Sequence, residues 1–382
     1  MCGICGLYRF DGKPVEQDKV KAMASRMVHR GPDDEGFIFL GPMGLGMRRL
    51  SIIDVAGGHQ PIANEDQSIW VAMNGEIYNH VELRQELLKQ GHRFSTNSDT
   101  EVIVHLYEEL GKEAVHKLNG MFAFVLYDVK RRSMWIVRDR LGIKPLYYFQ
   151  QNGVIGFSSD LSSLKEAMPA AKVDGQAFLK YLALSYVPGP ETIYQGVCKL
   201  TPAHWMWISE GRLETQCYWN AAAGSRWKGS AIEAEERLRG LLRDSMRLQL
   251  RSDVPSGVFL SGGLDSSAVA IFAAQESSQP LRTMTIDFLG KSNADVLAAR
   301  TVAKAIGSHH EEVTLSAPEA AKRLDELICH LDEPLADSAL IPSYVLSEQA
   351  RRQGVKVLLT GAGGDELFGG YPTFQATALA RL

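Results

Sequence analysis

The chain has 382 residues, of which 45% are hydrophobic and 23% are charged, and its formal net charge is −4. That length exceeds what one hydrophobic core usually supports, so two domains are expected. The slightly acidic balance argues against a nucleic-acid partner or an anionic membrane surface, and no apolar run approaches the roughly 18 residues of a membrane span.

The N-terminus reads MCGICG, which places a cysteine directly after the initiator methionine. Because residue 2 is small, we expect Met1 to be removed, leaving the Cys2 thiol beside a free α-amino group. An N-terminal amine is a recognised base for activating such a nucleophile. The alternative is that Cys2 is only a small residue at the start of a strand.

Five cysteines, at positions 2, 5, 198, 217 and 329, are scattered and odd in number. This usage predicts reduced thiols and a cytoplasmic protein. Cysteines other than Cys2 are expected to pack as small apolar residues. A second C-x-x-C pair is missing and the ten histidines form no ligand pattern, so the sequence does not predict zinc.

Short strands with a few helices are predicted over residues 1–160, within a first domain of residues 1–220, which indicates a sheet sandwich covered by helices. Helices are expected at 81–90 and 99–110, each ended by a glycine, and a hairpin joins 121–129 to 133–139. The stretch HWMWI, 204–208, is predicted to be a strand packed in the core. A small, polar, unpatterned segment, 221–230, is predicted to be a linker.

Residues 231–382 show a different pattern of predicted elements, in which strands alternate with helices. An amphipathic helix comes first, with apolar residues at Ile232, Leu238, Leu241, Leu242 and Met246. The strand SGVFLS, the loop SGGLDSS and the helix SAVAIFAAQ follow, and the alternation continues as far as VKVLLT. This pattern predicts a parallel α/β sheet.

Several motifs, taken in order, carry a family resemblance. After Cys2 come HRGPDDEG (29–36), RRLSIID (48–54), GGHQPIAN (57–64), NGEIYNH (74–80), SDTEV (98–102), GMFAFVLYD (120–128) and RDRLGIKPLYY (138–148). They resemble the N-terminal-nucleophile (Ntn) glutaminase domain of class II glutamine amidotransferases. The later motifs SGGLDSS (261–267), LDEPLADSALIP (331–342) and LTGAGGDELFGGYP (359–372) resemble the synthetase domain of the glutamine-hydrolysing asparagine synthetase family. The resemblance implies an α+β Ntn-hydrolase sandwich (αββα) over 1–220 and an α/β ATP-pyrophosphatase-like domain over 231–382.

The same resemblance implies a glutamine site. Asn74 and Gly75 would stabilise the oxyanion formed when Cys2 attacks, and a glycine allows the close backbone approach this requires. Arg49 would hold the substrate carboxylate and Glu76 with Asp99 its ammonium. The further implied glutamine-binding residues are Leu50, Ser51, Ile52 and Ile53. Each assignment has an alternative: a hairpin turn at 74–76, a surface cation at 49, or a helix N-cap at 99, where Ser98 competes.

The glycine-rich loop SGGLDSS lies between an apolar strand and an apolar helix, an arrangement that presents backbone N–H groups to an anion. It lacks the Gly-Lys-Ser/Thr element of a Walker A loop. It resembles the pyrophosphate loop of enzymes that cleave ATP to AMP and pyrophosphate; the alternative is a plain strand–helix turn. The implied ATP-binding residues are Leu260, Ser261, Gly262, Gly263, Asp265, Ser266, Ile286, Thr360 and Gly361. Asp265 and Asp365 are expected to hold Mg²⁺.

The implied activity is ATP-dependent amide formation with glutamine as the nitrogen donor and aspartate as the leading acceptor. One alternative is another carboxylate, such as a uronic acid in surface-glycan assembly. Another is a truncated glutamine-binding regulatory protein, since the chain stops at ALARL, before further helices expected of the family. Ala362 departs from the family pattern, which usually has an acidic residue there. Expected partners are small molecules, with neither nucleic acid nor membrane, and a homodimer stays open.

Overall fold

The computed structural model describes residues 1–168, 171–209, 211–224, 227–289 and 294–380. The chain divides into two compact units, Met1–Ser225 with Leu331–Ala336, and Arg226–His330 with Asp337–Leu382. The sequence places 331–336 in the second domain, whereas the structure packs this segment in the first unit. Residues 225 and 226 of the predicted linker 221–230 lie outside the described residues.

Two six-stranded antiparallel sheets form the first unit. The first sheet has the order β10-β8-β9-β1-β3-β2, from β1 (Gly3–Arg9), β2 (Asp34–Leu40), β3 (Met43–Arg49), β8 (Tyr147–Gln151), β9 (Val154–Ser158) and β10 (Val197–Lys199). The second has the order β12-β11-β7-β6-β5-β4, from β4 (Ile62–Ala63), β5 (Ile69–Ile77), β6 (Gly120–Asp128), β7 (Ser133–Arg138), β11 (His204–Ser209) and β12 (Arg212–Cys217).

Strand β6 shows why these sheets stack. Its run MFAFVLY, 121–127, has apolar or aromatic residues at every position, so both faces of the strand can be buried. Phe122, Phe124 and Leu126 pack in one core, and Ala123 and Val125 pack in another. A strand with two buried faces belongs to a middle layer.

Helices cover the outer faces of both sheets. Helices α2 (His80–Gln90) and α3 (Val102–Leu110) contribute to the core on the second sheet, and α1 (Gln17–Ser25) and α4 (Leu161–Leu164) to the core on the first. A further helix, α5 (Gly175–Leu184), lies later in this unit. The layers are therefore αββα, which confirms the predicted fold class.

The segment 331–336 is held in the first unit by its acidic side chains. Asp332 accepts hydrogen bonds from the backbone N–H groups of Leu161 and Ser162, each at 3.2 Å. Glu333 accepts from Ile193 N at 2.8 Å and pairs with Lys199 at 2.7 Å. The side chains of a motif recognised in the second half thus complete hydrogen bonds in the first unit.

The second unit is built on a parallel sheet in the order β15-β14-β13-β16, with β13 (Ser256–Phe259), β14 (Arg282–Phe288), β15 (His309–Leu315) and β16 (Val357–Leu359). Its helices are α6 (Ala231–Gln249), α7 (Leu264–Glu276), α8 (Ala294–Ile306), α9 (Ala317–Ile328), α10 (Leu340–Arg352), α11 (Gly364–Phe368) and α12 (Pro372–Leu379). Two separate hydrophobic cores form in this unit, one with α7 and α8 and one with α10. The predicted parallel α/β class is confirmed.

Strand order reverses beside β13 in this sheet. The chain runs from β13 to β14 and β15 on one side, and then returns to place β16 on the other side. Such a switch point leaves a crevice at the carboxyl ends of the two strands, where open α/β sheets bind ligands. The loops SGGLDSS and TGAGGDE follow β13 and β16 respectively.

Two sequence expectations about side chains have different outcomes. HWMWI forms β11, where Trp205, Met206 and Ile208 are buried, so the prediction of core packing is confirmed. Cys5 is buried as expected, but Cys217 and Cys329 are exposed, so the expectation of buried packing is wrong for these two. Within the described ranges, no helix is both long enough and apolar enough to span a bilayer.

Candidate functional site

Cys2 lies immediately before β1, in a segment fixed by two sequence motifs. Its Sγ lies 3.7 Å from the Leu50 carbonyl oxygen, to which the thiol donates. Arg30 Nε donates to the Cys2 carbonyl at 3.2 Å, and the Met1 ammonium donates to the Arg30 carbonyl at 3.1 Å. Cys2 is therefore held by residues of both HRGPDDEG and RRLSIID.

The surroundings of Cys2 disfavour charge. Burial raises the pKa of the Cys2 thiol and lowers the pKa of the Met1 α-ammonium to about 6. Lys144 is also buried, and burial lowers the pKa of its ammonium, although the charges of Glu76 and Cys2 raise it. The Met1 α-amine is therefore largely neutral at pH 7, and a neutral amine is the form that can accept a thiol proton.

Asn74 and Gly75 lie inside β5, opposite Ala123 and Phe122 of β6, so the hairpin-turn alternative is wrong. Asn74 is fully buried, and its Nδ2 donates to Ser159 Oγ at 3.4 Å. The same oxygen accepts from the Ile4 backbone N–H at 3.1 Å. Ser159 therefore ties the Asn74 amide to the start of β1, two residues from the nucleophile.

A glycine is required at position 75 by a close approach of backbone. A Cβ there would lie 2.2 Å from the Met121 carbonyl oxygen and 2.6 Å from Phe122 Cα. Since both contacts are with backbone atoms, no side-chain rotation would relieve them. This packing explains a glycine directly after the fully buried Asn74.

Arg49, at the end of β3, is 5% exposed, so the surface-cation alternative is wrong. Its Nη2 donates to the carbonyl oxygens of Ile53 and Asp54, each at 2.8 Å. A Cβ at Gly58 would lie 2.4 Å from this Nη2, so the glycine makes room for the guanidinium. Arg49 thus organises the loop that follows it.

The other predicted residues of this loop surround the same turn. Ser51 is buried, and its N–H donates to Asp33 Oδ2 at 2.9 Å, while Leu50 supplies the carbonyl that faces Cys2. Ile52 and Ile53 are half-buried. Leu50 therefore contacts Cys2 through its backbone carbonyl, and the Asp33 carboxylate fixes the backbone of Ser51.

Asp99 is buried and does not cap its helix. Ser98 caps the 3₁₀ turn Asp99–Glu101 by accepting from Thr100 N at 3.2 Å, whereas Asp99 Oδ2 accepts from Ile77 N at 2.7 Å. Asp99 is thereby attached to the end of β5, one residue beyond Glu76. This geometry removes the N-cap alternative for position 99.

Glu76 and Asp99 form a pair of buried carboxyl groups whose pKa values are raised. Burial first, and then the charge of Asp99, raise the pKa of Glu76 well above its usual range, although Lys144 and Arg49 lower it. Burial also raises the pKa of Asp99. Among the described residues, Glu76 Oε2 is buried without a hydrogen-bond partner. A cation placed here would stabilise both carboxylates.

The structure also reveals residues that the sequence reasoning did not assign to this site. Arg30, Lys144 and Ser159 contact or electrostatically influence Cys2, Asn74 or Glu76. Arg30 and Lys144 lie in the recognised motifs HRGPDDEG and RDRLGIKPLYY, which was the available signal. Ser159 lies outside the quoted motifs and carried no such signal.

In the second unit, the loop after β13 is closed by serine hydroxyls. Ser261 Oγ and Ser266 Oγ are 2.9 Å apart, and Ser261 N donates to Ser266 Oγ at 3.2 Å. Gly262 has φ +83°, and a Cβ there would lie 2.3 Å from the Asp295 carbonyl oxygen. Gly263 is the N-cap of α7, a helix of 13 residues. The turn therefore places backbone N–H groups at a helix N-terminus, as an anion site needs.

The loop after β16 packs directly on that turn. A Cβ at Gly361 would lie 2.7 Å from Ser266 N, and one at Gly364 would lie 2.3 Å from the Asp265 carboxylate carbon. Of the two predicted metal-binding aspartates, Asp265 lies at this contact, and Asp365 follows Gly364 in the chain. The residues fit a magnesium–pyrophosphate group, because the glycines leave room around a carboxylate beside main-chain donors.

The other residues predicted to bind the nucleotide lie near the same crevice, and their side chains differ in how far they are buried. Thr360 Oγ1 accepts from Ala362 N at 3.3 Å, which shapes the turn after β16. Leu260 is fully buried and its N–H donates to the Met284 carbonyl, while Ile286 on β14 is half-buried. The switch point thus collects the predicted residues on β13, β14 and β16.

Comparisons with known proteins agree with both halves of this description. Residues 1–219 match the family described as glutamine amidotransferase domain, and residues 237–382 match the asparagine synthase family. Asparagine synthetase [glutamine-hydrolyzing] 1 of Bacillus subtilis is 38% identical over 98% of this chain and 60% of its own length. A Methanocaldococcus jannaschii protein, named provisionally as a second such synthetase, is 35% identical over 98% of this chain and 76% of its own length.

Solved structures give weaker likenesses. Glutamine phosphoribosylpyrophosphate amidotransferase of B. subtilis, complexed with ADP and GMP, has a TM-score of 0.45 at 14% identity and covers 94% of this chain and 91% of its own. An NH3-dependent NAD synthetase from Campylobacter jejuni has a TM-score of 0.27 at 14% identity, over 36% of this chain and 60% of its own. The chain spans about three fifths of the length of several relatives that it matches.

Proposed function

The chain belongs to the glutamine-hydrolysing asparagine synthetase family, and on that premise we propose that it catalyses ATP-dependent transfer of glutamine nitrogen to aspartate. The first unit would release ammonia from glutamine. The second would activate the acceptor carboxylate with ATP. We also propose that the protein works in the cytoplasm, consistent with scattered cysteines.

The glutaminase step begins at Cys2 once Met1 has been removed. The neutral α-amine takes the thiol proton, and the sulfur attacks the glutamine carboxamide carbon. Negative charge then develops on oxygen, where the Asn74 amide and the Gly75 backbone N–H would donate hydrogen bonds. The protonated α-amine returns its proton to the amide nitrogen, so that ammonia leaves and a thioester remains on Cys2. Water then hydrolyses the thioester to release glutamate.

The observation that carries the proposal is the buried, unpartnered oxygen of Glu76 beside Asp99. The α-ammonium of free glutamine would supply the missing cation there, and Arg49 would supply a planar partner for its carboxylate. Opposite charges at two ends of the site favour free glutamine over a peptide-bound amide. Restoring hydrogen bonds to a buried carboxylate contributes to substrate affinity.

The synthetase step is assigned to the two loops at the switch point. The acceptor carboxylate oxygen would attack the α-phosphorus of ATP, and pyrophosphate would leave, giving an acyl adenylate. Ammonia would then attack the acyl carbon, and AMP would leave as the amide forms. Asp265 and Asp365 would hold Mg²⁺, which offsets pyrophosphate charge. The matched relatives do not favour a uronic-acid acceptor or a regulatory role.

Two assays test the proposal separately. Glutamate release from glutamine should disappear in Cys2→Ala and persist in Cys5→Ala, because Cys5 is fully buried in a different core. Intact mass should show loss of Met1. Pyrophosphate and asparagine should form from ATP, ammonia and aspartate in wild type.

The outcomes identify which half is wrong. Glutaminase activity that survives Cys2→Ala but not Cys5→Ala would overturn the nucleophile assignment. Normal glutaminase activity without aspartate-dependent pyrophosphate release would overturn the proposed acceptor chemistry.

A further inference from the structure

Two histidines and two glutamates meet in the first unit, outside the glutamine site. Glu65 lies between β4 and β5, His92 follows α2, and His105 and Glu108 lie on α3. His105 is fully buried, the His92 side chain is 11% exposed, and both glutamates reach solvent. The sequence has no short metal-ligand motif, and the structure brings these four residues together from separate segments. We call these four residues the His–Glu cluster.

The ligand atoms of the cluster lie close enough together to surround one metal ion. His92 Nδ1 lies 3.6 Å from Glu65 and 3.5 Å from Glu108, and His105 Nδ1 lies 3.6 Å and 3.1 Å from the same two carboxylates. One ligand atom from each residue can be chosen so that all four lie within 4.8 Å of one another. Zinc bonds of about 2.0–2.2 Å put tetrahedral ligand atoms about 3.4 Å apart. Both imidazoles lie near that distance from the same Glu108 oxygen, Oε2, whereas they approach different oxygens of Glu65.

One of the two outward-facing imidazole nitrogens of the cluster has a hydrogen-bond partner. His92 Nε2 lies 3.0 Å from Glu109 Oε1, and His105 Nε2 lies 3.7 Å from the buried carboxylate of Glu101. When Nδ1 of a histidine binds a metal, Nε2 carries the proton, and a carboxylate partner fixes that tautomer. His92 is therefore oriented in the way that metal-ligating imidazoles usually are, whereas His105 Nε2 is buried without a hydrogen-bond partner in the described part of the chain, since 3.7 Å is too long for one.

The two glutamates are oriented by neighbouring donors in the same manner. Asn64 Nδ2 donates to Glu108 Oε1 at 2.8 Å, while Glu108 Oε2 faces both imidazoles. The Arg93 backbone N–H donates to Glu65 Oε1 at 2.8 Å. These contacts hold the carboxylates in place, which reduces the entropy lost on binding.

The charge of the surroundings favours a cation. Four carboxylates, those of Glu65, Glu101, Glu108 and Glu109, face the two imidazole rings. A proton on His105 is one cation that could occupy this environment, and a divalent metal is the other. Two imidazoles with two carboxylates suit zinc and its neighbours in the first transition row better than magnesium or calcium.

We propose that the His–Glu cluster is a zinc-binding site that cross-links the helical layer of the first unit. The metal would join the turn before β5, the loop after α2 and helix α3. The same loop continues to Asp99, so zinc would steady the segment that carries this carboxylate. The proposal is independent of the catalytic assignments.

The test uses wild-type protein depleted of metal by chelation and then titrated with ZnCl2 against a chromophoric competitor. We expect one zinc ion per chain, with a rise in melting temperature on binding. Co²⁺ should give the visible absorption of a tetrahedral site. His92→Gln and Glu108→Gln each remove one ligand near the surface, so each should weaken zinc binding by more than about 100-fold.

Two controls separate the cluster from other ligands. His116→Gln changes a half-exposed histidine outside the cluster, and Cys2→Ala removes the nucleophilic thiol, so both should bind zinc as wild type does. A wild-type chain that takes up no zinc overturns the proposal. So does equal zinc affinity in wild type, His92→Gln and Glu108→Gln, because the metal would then be bound elsewhere.

Discussion

Replacing Arg49 by lysine tests two roles of this side chain, which are holding the loop after β3 and binding the glutamine carboxylate. The guanidinium donates to the Ile53 and Asp54 carbonyls and, in the proposed function, also to the glutamine carboxylate. Lysine retains the charge but cannot present a planar fork. We therefore expect Arg49→Lys to bind glutamine more weakly while Cys2 chemistry stays intact.

The magnitude follows from the number of hydrogen bonds that are lost. One hydrogen bond to a charged group contributes about 1.5–3 kcal/mol. At roughly 1.4 kcal/mol for each tenfold change, KM for glutamine should rise about 10- to 150-fold. The kcat value should fall by much less, since Arg49 is not assigned to the reacting atoms.

A substrate without the carboxylate distinguishes substrate binding from loop structure. Wild-type enzyme should use 4-aminobutanamide poorly, and Arg49→Lys should lower its use little further. Arg48→Lys is the matched control, because the neighbouring Arg48 pairs with Glu35. The reasoning is refuted if KM for glutamine is unchanged, or if Arg49→Lys impairs both substrates equally.

Three further predictions concern other parts of the chain. Burial first, and the charge of Asp160 second, raise the pKa of Asp332 to about 7 in the folded protein. In the unfolded chain the pKa of this carboxyl group is near ~4. The stability that Asp332 contributes is therefore complete below pH ~4 and is lost as the pH rises through 7. The wild-type melting temperature should therefore fall between pH 5 and 8, and Asp332→Asn should flatten that fall; an identical slope would contradict it. Gly361→Ala should weaken ATP binding about tenfold or more in a fluorescence titration, because its Cβ would meet Ser266 N at 2.7 Å, while glutaminase activity is retained. Ala362→Glu should raise the rate of aspartate-dependent AMP formation by providing a base for incoming ammonia, and an unchanged rate would show that this position is neutral.

Local sequence patterns predicted the architecture because burial repeats at fixed spacing. The glycines at 91 and 111 end α2 and α3, as predicted, and the uninterrupted apolar run of β6 predicts a strand. The sequence could not choose between an N-cap and a binding role for Asp99. That choice depends on the Ile77 N–H, which comes from a strand 22 residues away.

Contacts between distant segments account for what the sequence missed. His92 and His105 are separated by 13 positions, and their partner Glu65 comes from another turn, so no short motif signals the cluster. Lys144 lies in a recognised motif, but only folding buries its ammonium near Cys2. A pattern of residue types therefore predicts elements better than it predicts which side chains meet.

The placement of 331–336 in the first unit has consequences for the order of folding during translation and for recombination between related chains. During synthesis, the N–H groups of Leu161, Ser162 and Ile193 emerge well over a hundred residues before Asp332 and Glu333 exist to accept from them. The first unit therefore completes its hydrogen bonding only after most of the second has been translated. Recombination at a single crossover near residue 225 would separate these partners, so a chimera that keeps the first unit must also carry 331–336 from the same parent.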